Sequence, residues 1–176
     1  IIVDSIGWPD TDFSYHDICE GESVTMTGID NGFNISNWSW NIGSGMFNLA
    51  GSQVNQTFYN DTTISVQLIA EDINGCKDTT THTINIYPVP IVGFSSDTLW
   101  GCEELTVQFN DESIYDSVQS YDWTFEGHGS DTINNPIINF NTVGSWDVSL
   151  KVTSINGCES ETIKDQHIII YPNPIS

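Results

Sequence analysis

The feature that most constrains this chain is that it contains one pattern twice. Ile73-Asn74-Gly75-Cys76 returns as Ile155-Asn156-Gly157-Cys158, and Cys19-Glu20 returns as Cys102-Glu103. Asn85-Ile86-Tyr87-Pro88-Val89-Pro90 returns as Ile169-Ile170-Tyr171-Pro172-Asn173-Pro174. The spacing holds as well as the order. Trp40 lies 21 residues after Cys19, and Trp123 lies 21 after Cys102; Cys76 follows Trp40 by 36 residues, and Cys158 follows Trp123 by 35. The repeat length is 102 − 19 = 83 residues. Self-similarity on this scale is one folding unit used again. The 176 residues therefore divide into two domains, 1–89 and 90–176, rather than forming one large one. Prolines at the boundary make the link short and stiff. In the first copy the Tyr-Pro-x-Pro segment runs straight into the next repeat, and the chain ends on its equivalent. A further repeat is expected to follow. Beginning at Ile1 without Met or a leader, the chain is expected to be a segment of a longer array.

Inside each copy the apolar residues alternate. Val107 and Phe109, then Tyr121, Trp123 and Phe125, then Trp146, Val148, Leu150 and Val152 are each separated by one polar residue. Val24 and Met26, then Trp38, Trp40 and Ile42, then Ile64, Val66 and Leu68 do the same in the first copy, and Ile84, Ile86, Ile168 and Ile170 form closing strands. A period of two marks half-buried strands. Asp30-Asn31-Gly32, Gly43-Ser44-Gly45, Asn74-Gly75 and Asn156-Gly157 lie between the runs and tolerate the positive φ of tight turns. No stretch keeps a helical period for three turns. About seven short strands per repeat predict an all-β protein of two tandem Ig-like antiparallel β-sandwiches, with a barrel of similar strand count as the alternative.

Charge removes whole classes of partner. Asp and Glu number 24, Lys and Arg together 3, for a formal net charge of −21. Nucleic acid and anionic membrane surfaces both require basic residues that are missing here. No apolar run is long enough to insert into a bilayer. The excess is shared: residues 1–90 hold 11 acids and one Lys, residues 91–176 hold 13 acids and two Lys. The charge thus belongs to the repeating unit.

The four cysteines fall two to a repeat. Of the three connectivities open to four cysteines, only Cys19–Cys76 with Cys102–Cys158 keeps each bridge within its own repeat, and that pairing is expected. No CxxC or suitably spaced His supports zinc. Paired cysteines place the chain in an oxidising, extracellular compartment.

For catalysis the sequence offers little. The four histidines share no repeated position, and neither a nucleophile elbow nor a zinc-protease motif occurs. Acid pairs such as Glu103-Glu104 read as solvated surface. No enzyme and no cofactor is expected, with Ca2+ the one candidate: Asp97, Asp111, Glu112, Asp116 and Asp122 lie close in sequence and carry the hard oxygen ligands it prefers. Trp8 and Trp100 precede the Cys-bearing strands, outside the alternating runs, and are candidates for a sugar-binding platform or for packing between repeats.

The second copy resembles a PKD domain, an Ig-like sandwich of extracellular proteins. The matching stretches are Tyr121-Asp122-Trp123-Thr124-Phe125-Glu126-Gly127-His128-Gly129, Asn135-Pro136-Ile137-Ile138-Asn139-Phe140 and Gly144-Ser145-Trp146-Asp147-Val148-Ser149-Leu150-Lys151-Val152. Glu126 and His128 depart from the family's Phe-Gly-Asp-Gly turn. The first copy is similar through Trp38-Ser39-Trp40-Asn41-Ile42-Gly43-Ser44-Gly45, then carries Thr62-Thr63-Ile64-Ser65 in place of the Gly-x-Tyr element. Copies with these cysteines and Tyr-Pro-x-Pro ends resemble repeats of very large Bacteroidota surface proteins exported by the type IX system. That resemblance implies a non-catalytic stalk or fibre segment of an adhesin. Its partners would be neighbouring repeats, surface glycans or other cell-surface proteins. The alternative is a carbohydrate-binding or spacer module of a secreted hydrolase. It also implies O-glycosylation at Asp-Ser/Thr triplets, with Ser5, Thr62, Thr79, Thr98, Ser117 and Thr132 as acceptors.

Overall fold

The computed structural model describes residues 9–43 and 45–174. The chain forms two compact units, Ile1–Pro88 and Val89–Ser176.

Unit 1 contains β1 (Thr11–Ser14), β2 (Ile18–Cys19), β3 (Ser23–Asp30), β4 (Ile35–Ile42), β5 (Leu49–Ala50), β6 (Gln53–Thr57), β7 (Thr62–Asp72) and β8 (Lys77–Tyr87). One sheet has the order β1-β3-β6 and the other β2-β8-β7-β4-β5. Unit 2 repeats this with β9 (Phe94–Ser96), β10 (Trp100–Cys102), β11 (Leu105–Asp111), β12 (Val118–Phe125), β13 (Gly129–Asp131), β14 (Ile137–Phe140), β15 (Gly144–Ser154) and β16 (Glu159–Tyr171). Its sheets are β14-β11-β9 and β10-β16-β15-β12-β13. No helix occurs among the described residues, and the all-β, Ig-like two-sandwich expectation holds.

The alternating residues are those that fill each sandwich. Val24, Met26, Trp40, Val66, Leu68, Ile84 and Ile86 form the first core with Phe13 and Ile18. Phe94, Val107, Phe109, Trp123, Phe125, Phe140, Val148, Leu150, Val152, Ile168 and Ile170 form the second. Trp40 on β4 and Trp123 on β12 are fully buried. Each indole Nε1–H donates to a loop carbonyl, Trp40 to Gly51 at 2.8 Å and Trp123 to Ile133 at 3.0 Å, so a large apolar ring is buried without stranding its one donor. Trp38, on the same face of β4 as Trp40, packs against this core and its ring covers Gly28 of β3. A Cβ at Gly28 would lie 2.4 Å from the Trp38 ring, which is why glycine occupies that strand position.

One detail of the sheets was not anticipated: each unit contains a short parallel pairing. β2 runs parallel to β8, with Cys19 opposite Tyr87, and β10 runs parallel to β16, with Cys102 opposite Tyr171. The first strand of each unit lies on one sheet as β1 or β9. The chain then crosses and continues along the other sheet in the same direction as the last strand. This crossing decides where the cysteines go.

Candidate functional site

Within a unit the two cysteines lie at opposite ends of the last strand. In unit 1, Cys19 sits opposite Tyr87 at the end of β8, and Cys76 immediately precedes Lys77 at its beginning. β8 has 11 residues, and at about 3.3 Å per residue the two cysteines are roughly 35 Å apart. In unit 2, Cys102 sits opposite Tyr171 and Cys158 precedes Glu159; β16 has 13 residues, a separation of roughly 40 Å. A disulfide tolerates a Cα separation of at most about 7 Å. The expected bridges Cys19–Cys76 and Cys102–Cys158 are therefore excluded by the register of the sheets. Cys76 and Cys102 are free thiols, and the disulfide-bonded cysteines are Cys19 and Cys158.

The two cysteine positions differ in local structure. Cys76 and Cys158 close the tight turns between the last two strands of their units. Asp72 N–H donates to the Cys76 carbonyl at 2.9 Å and Ser154 N–H to the Cys158 carbonyl at 2.8 Å, while Gly75 and Gly157 take φ of 85° and 84°. The Asp72 carboxylate, though burial pulls its pKa upward, stays below the usual carboxylate range because the Cys76 and Asn74 amides donate to it. Ser154 Oγ accepts the Cys158 N–H at 3.1 Å in the other unit. These turns lie at the end where each chain segment enters its sandwich. In unit 1 the Thr11 N–H, opening β1, donates to Asp78 Oδ2 at 2.8 Å, two residues beyond Cys76. In unit 2, Ile91 pairs with Ile114, and Ile155 of the turn donates to the Ser117 carbonyl at 3.1 Å. Cys19 and Cys102 mark the other end, where the chain leaves: Glu20 N–H donates to Tyr87 at 2.9 Å and Glu103 N–H to Tyr171 at 3.1 Å.

The acidic residues considered for Ca2+ are dispersed by the fold. No group of three His, Cys, Asp or Glu side chains suited to a metal forms among the described residues. Asp97 closes the end of β9 by accepting the Gln108 N–H at 3.1 Å. Asp111 accepts the Ser113 N–H at 2.9 Å and the Tyr115 hydroxyl at 2.9 Å. Tyr115 and Tyr121 share a 2.6 Å hydrogen bond, and Asn134 Nδ2 donates to Tyr121 at 2.7 Å. The Tyr121 contact, then burial and the Asp111 carboxylate, hold the Tyr115 phenol far above its ordinary pKa. This is a structural latch between two loops. Asp122 stands opposite Lys151 on the neighbouring strand, and Glu112 and Asp116 are exposed.

Of the acceptor candidates, Thr62, Thr79, Ser117 and Thr132 are exposed; Thr98 is half-buried and donates from its hydroxyl to the Trp100 carbonyl at 3.2 Å. Trp100 projects from β10 with 67% of its surface exposed. Ser5 and Trp8 lie outside the described residues. A shallow groove in unit 1, lined by Ile42, Gly43, Thr62, Thr63, Ile64 and Ser65, offers neither charge nor an aromatic wall.

Two features have no counterpart among the sequence expectations. Each unit has a histidine on its last strand packed edge-on against the first-strand phenylalanine: His82 on Phe13 at 4.7 Å and His167 on Phe94 at 5.4 Å. The offset between them is 85 residues rather than 83. β16 is two residues longer than β8 and carries an irregularity at Gln166, whose φ is 48°. The second is the turn where the PKD resemblance breaks. His128 Nδ1 contacts the Glu126 carbonyl at 2.8 Å and its ring packs on Phe140 and Trp146, at 4.6 and 4.7 Å.

No protein-family model matches the chain, and no curated protein matches it. Among solved structures, the fibronectin(III)-like modules of Clostridium thermocellum CbhA align with a TM-score of 0.52 at 10% identity, over 93% of this chain and 95% of theirs. The fold is Ig/fibronectin-III-like. Three N-terminal domains of the bacteriophage RB49 outer capsid protein Hoc align with a TM-score of 0.45 at 11% identity, over 93% of this chain and 59% of that one. Murine CEACAM1b aligns with a TM-score of 0.45 at 8% identity, over 92% of this chain and all of the other. Among the described residues no helix is long and apolar enough to cross a membrane.

Proposed function

We propose that this chain is a non-catalytic, extracellular stalk segment: Ig-like repeats that space and stiffen a long surface adhesin. The observation that carries this reading is the construction of the repeat. Each unit buries its own aromatic core, enters at one end, leaves at the other, and passes to the next through Pro88-Val89-Pro90. Such a unit can be added in series without disturbing its neighbours. The disulfide-bonded Cys19 and Cys158 suit an oxidising exterior. The three lysines are already engaged: Lys77 with Glu71 at 3.5 Å, Lys151 with Glu159 at 3.2 Å, and Lys164 with the Phe94 carbonyl. The surplus of acids keeps copies soluble and mutually repelling.

The PKD-like strand motifs support assignment of the units to that branch of Ig-like folds. The Tyr-Pro-x-Pro ends and Asn-Gly-Cys turns support an origin in a type IX-exported Bacteroidota surface protein, with O-glycans on exposed acceptors such as Thr79 and Thr132. One observation favours the second reading, a carbohydrate-binding accessory module: the exposed indole of Trp100. A glycan array separates the two. The stalk reading expects no selective binding; binding abolished by Trp100→Ala would replace it with the second.

A further inference from the structure

We propose that Asn156, in the turn joining β15 to β16, is a site of spontaneous deamidation, and that its counterpart in the first unit, Asn74, is protected by Asp72. The chain contains three Asn-Gly steps, Asn31-Gly32, Asn74-Gly75 and Asn156-Gly157. A glycine after asparagine leaves the next amide nitrogen without a shielding Cβ, and all three asparagines are exposed. What separates them is the hold on the carboxamide. Asn31 Nδ2 donates to the Asp10 carbonyl at 2.8 Å, and Asn74 Nδ2 donates to Asp72 Oδ2 at 3.3 Å. The Asn156 carboxamide makes no hydrogen bond among the described residues.

The difference originates in one residue. The two turns are closed alike: Gly75 N–H donates to the Asp72 carbonyl at 3.1 Å and Gly157 N–H to the Ser154 carbonyl at 2.9 Å. Asp72 has two oxygens. Its Oδ1 accepts the Asn74 and Cys76 N–H groups, both at 2.8 Å, which leaves Oδ2 for the Asn74 side chain. Ser154 presents a single, shorter-reaching oxygen, taken by the Cys158 N–H at 3.1 Å. Space favours the same site. A Cβ at Gly157 would meet nothing within 4 Å, so a ring closing on that nitrogen has room.

The reaction needs only water. Hydroxide removes the Gly157 N–H proton as its bond to Ser154 opens, and the nitrogen lone pair attacks Asn156 Cγ. The N–Cγ bond forms, the Cγ–Nδ2 bond breaks, and Nδ2 leaves as ammonia with a proton from water, which regenerates hydroxide. Water then opens the succinimide. Breaking the bond from Gly157 N to Cγ gives aspartate; breaking the bond to the main-chain carbonyl carbon gives isoaspartate, with the chain rerouted through the side chain. Nothing is oxidised or reduced, and either product adds a negative charge to the turn. At Asn74 the carboxamide must first leave the Asp72 carboxylate before its carbon can reach the glycine nitrogen.

Incubating the folded chain at mildly alkaline pH, then mapping peptides and methylating isoaspartate enzymatically, tests this. Asn156 should convert first, roughly tenfold ahead of Asn74, the factor that a hydrogen bond to a charged group is worth, and also ahead of Asn31. In denaturant the three rates should converge. Exchanging one residue between the units isolates the cause, because each variant copies a turn the other unit already folds. Asp72→Ser should raise the rate at Asn74 to that of Asn156, and Ser154→Asp should slow Asn156 about tenfold. Asn31, in the same unit as Asp72, reports unfolding: if it accelerates together with Asn74, the Ser154→Asp arm decides. Equal rates at Asn74 and Asn156 in the folded chain, earlier conversion at Asn31 or Asn74, or an undiminished rate at Asn156 in Ser154→Asp overturns the proposal.

Discussion

Replacing Trp123 by Phe tests whether each unit is held by its own aromatic core. The Trp123 ring is fully buried, stacked on Phe125 at 5.9 Å and edge-on to Phe94 at 5.1 Å. Phe keeps most of these contacts and loses two things. One is the Nε1–H bond to the Ile133 carbonyl, which lies near solvent, so its loss costs about 1 kcal/mol, the net worth of an ordinary hydrogen bond. The other is the part of the indole beyond a phenyl ring, whose void costs on the order of 1 kcal/mol. The total of about 2 kcal/mol weighs against roughly 4–13 kcal/mol for a unit of this size, at about 0.05–0.15 kcal/mol per residue. For domains of this length each kcal/mol lowers Tm by about 4–8 °C, so unit 2 should melt about 8–16 °C earlier. Calorimetry of reduced protein reads this as one of two transitions moving while the other stays. Trp40→Phe should move the other. A shift below about 3 °C, or both transitions moving together, would refute the argument that the units bury separate cores around these two rings.

Two further outcomes follow from charge and titration. Burial, followed by the nearby Lys164, holds the His167 pKa below its ordinary 6.5, so the neutral form is favoured in the folded state. The contribution is complete above the unfolded value and is lost as pH falls from about 6.5 through the folded one. Unit 2 should weaken over that interval, and His167→Gln should flatten the loss in urea titrations at a series of pH values. The −21 charge, with its three lysines already engaged, predicts that raising NaCl from about 10 to 150 mM increases Tm by screening repulsion among the carboxylates; an unchanged or lower Tm would contradict this.

The strands, the cores and the place of Trp40 and Trp123 were legible because alternation and burial are the same fact seen in one and three dimensions. The turns were legible from Asn-Gly, since Gly75 and Gly157 adopt the positive φ those pairs signal. Cysteine pairing was not. A spacing of 57 residues carries no information about which end of a sandwich each residue reaches; that depends on the crossing between β1 and β2, which puts Cys19 beside Tyr87. The histidine pair was hidden by two extra residues in β16, which broke the sequence alignment but not the packing. Asp111 shows what closeness in sequence leaves open. Its neighbours in sequence do not tell which groups its carboxylate meets: it accepts from Ser113 and Tyr115.

Pulling the reduced chain by its two ends in optical tweezers tests the central claim, a series of independently folded units. Two unfolding events of similar size are expected, each releasing the contour of one 83-residue repeat, roughly 270–300 Å at about 3.3–3.6 Å per residue before the folded length is subtracted. A single event releasing both repeats at once would contradict the account.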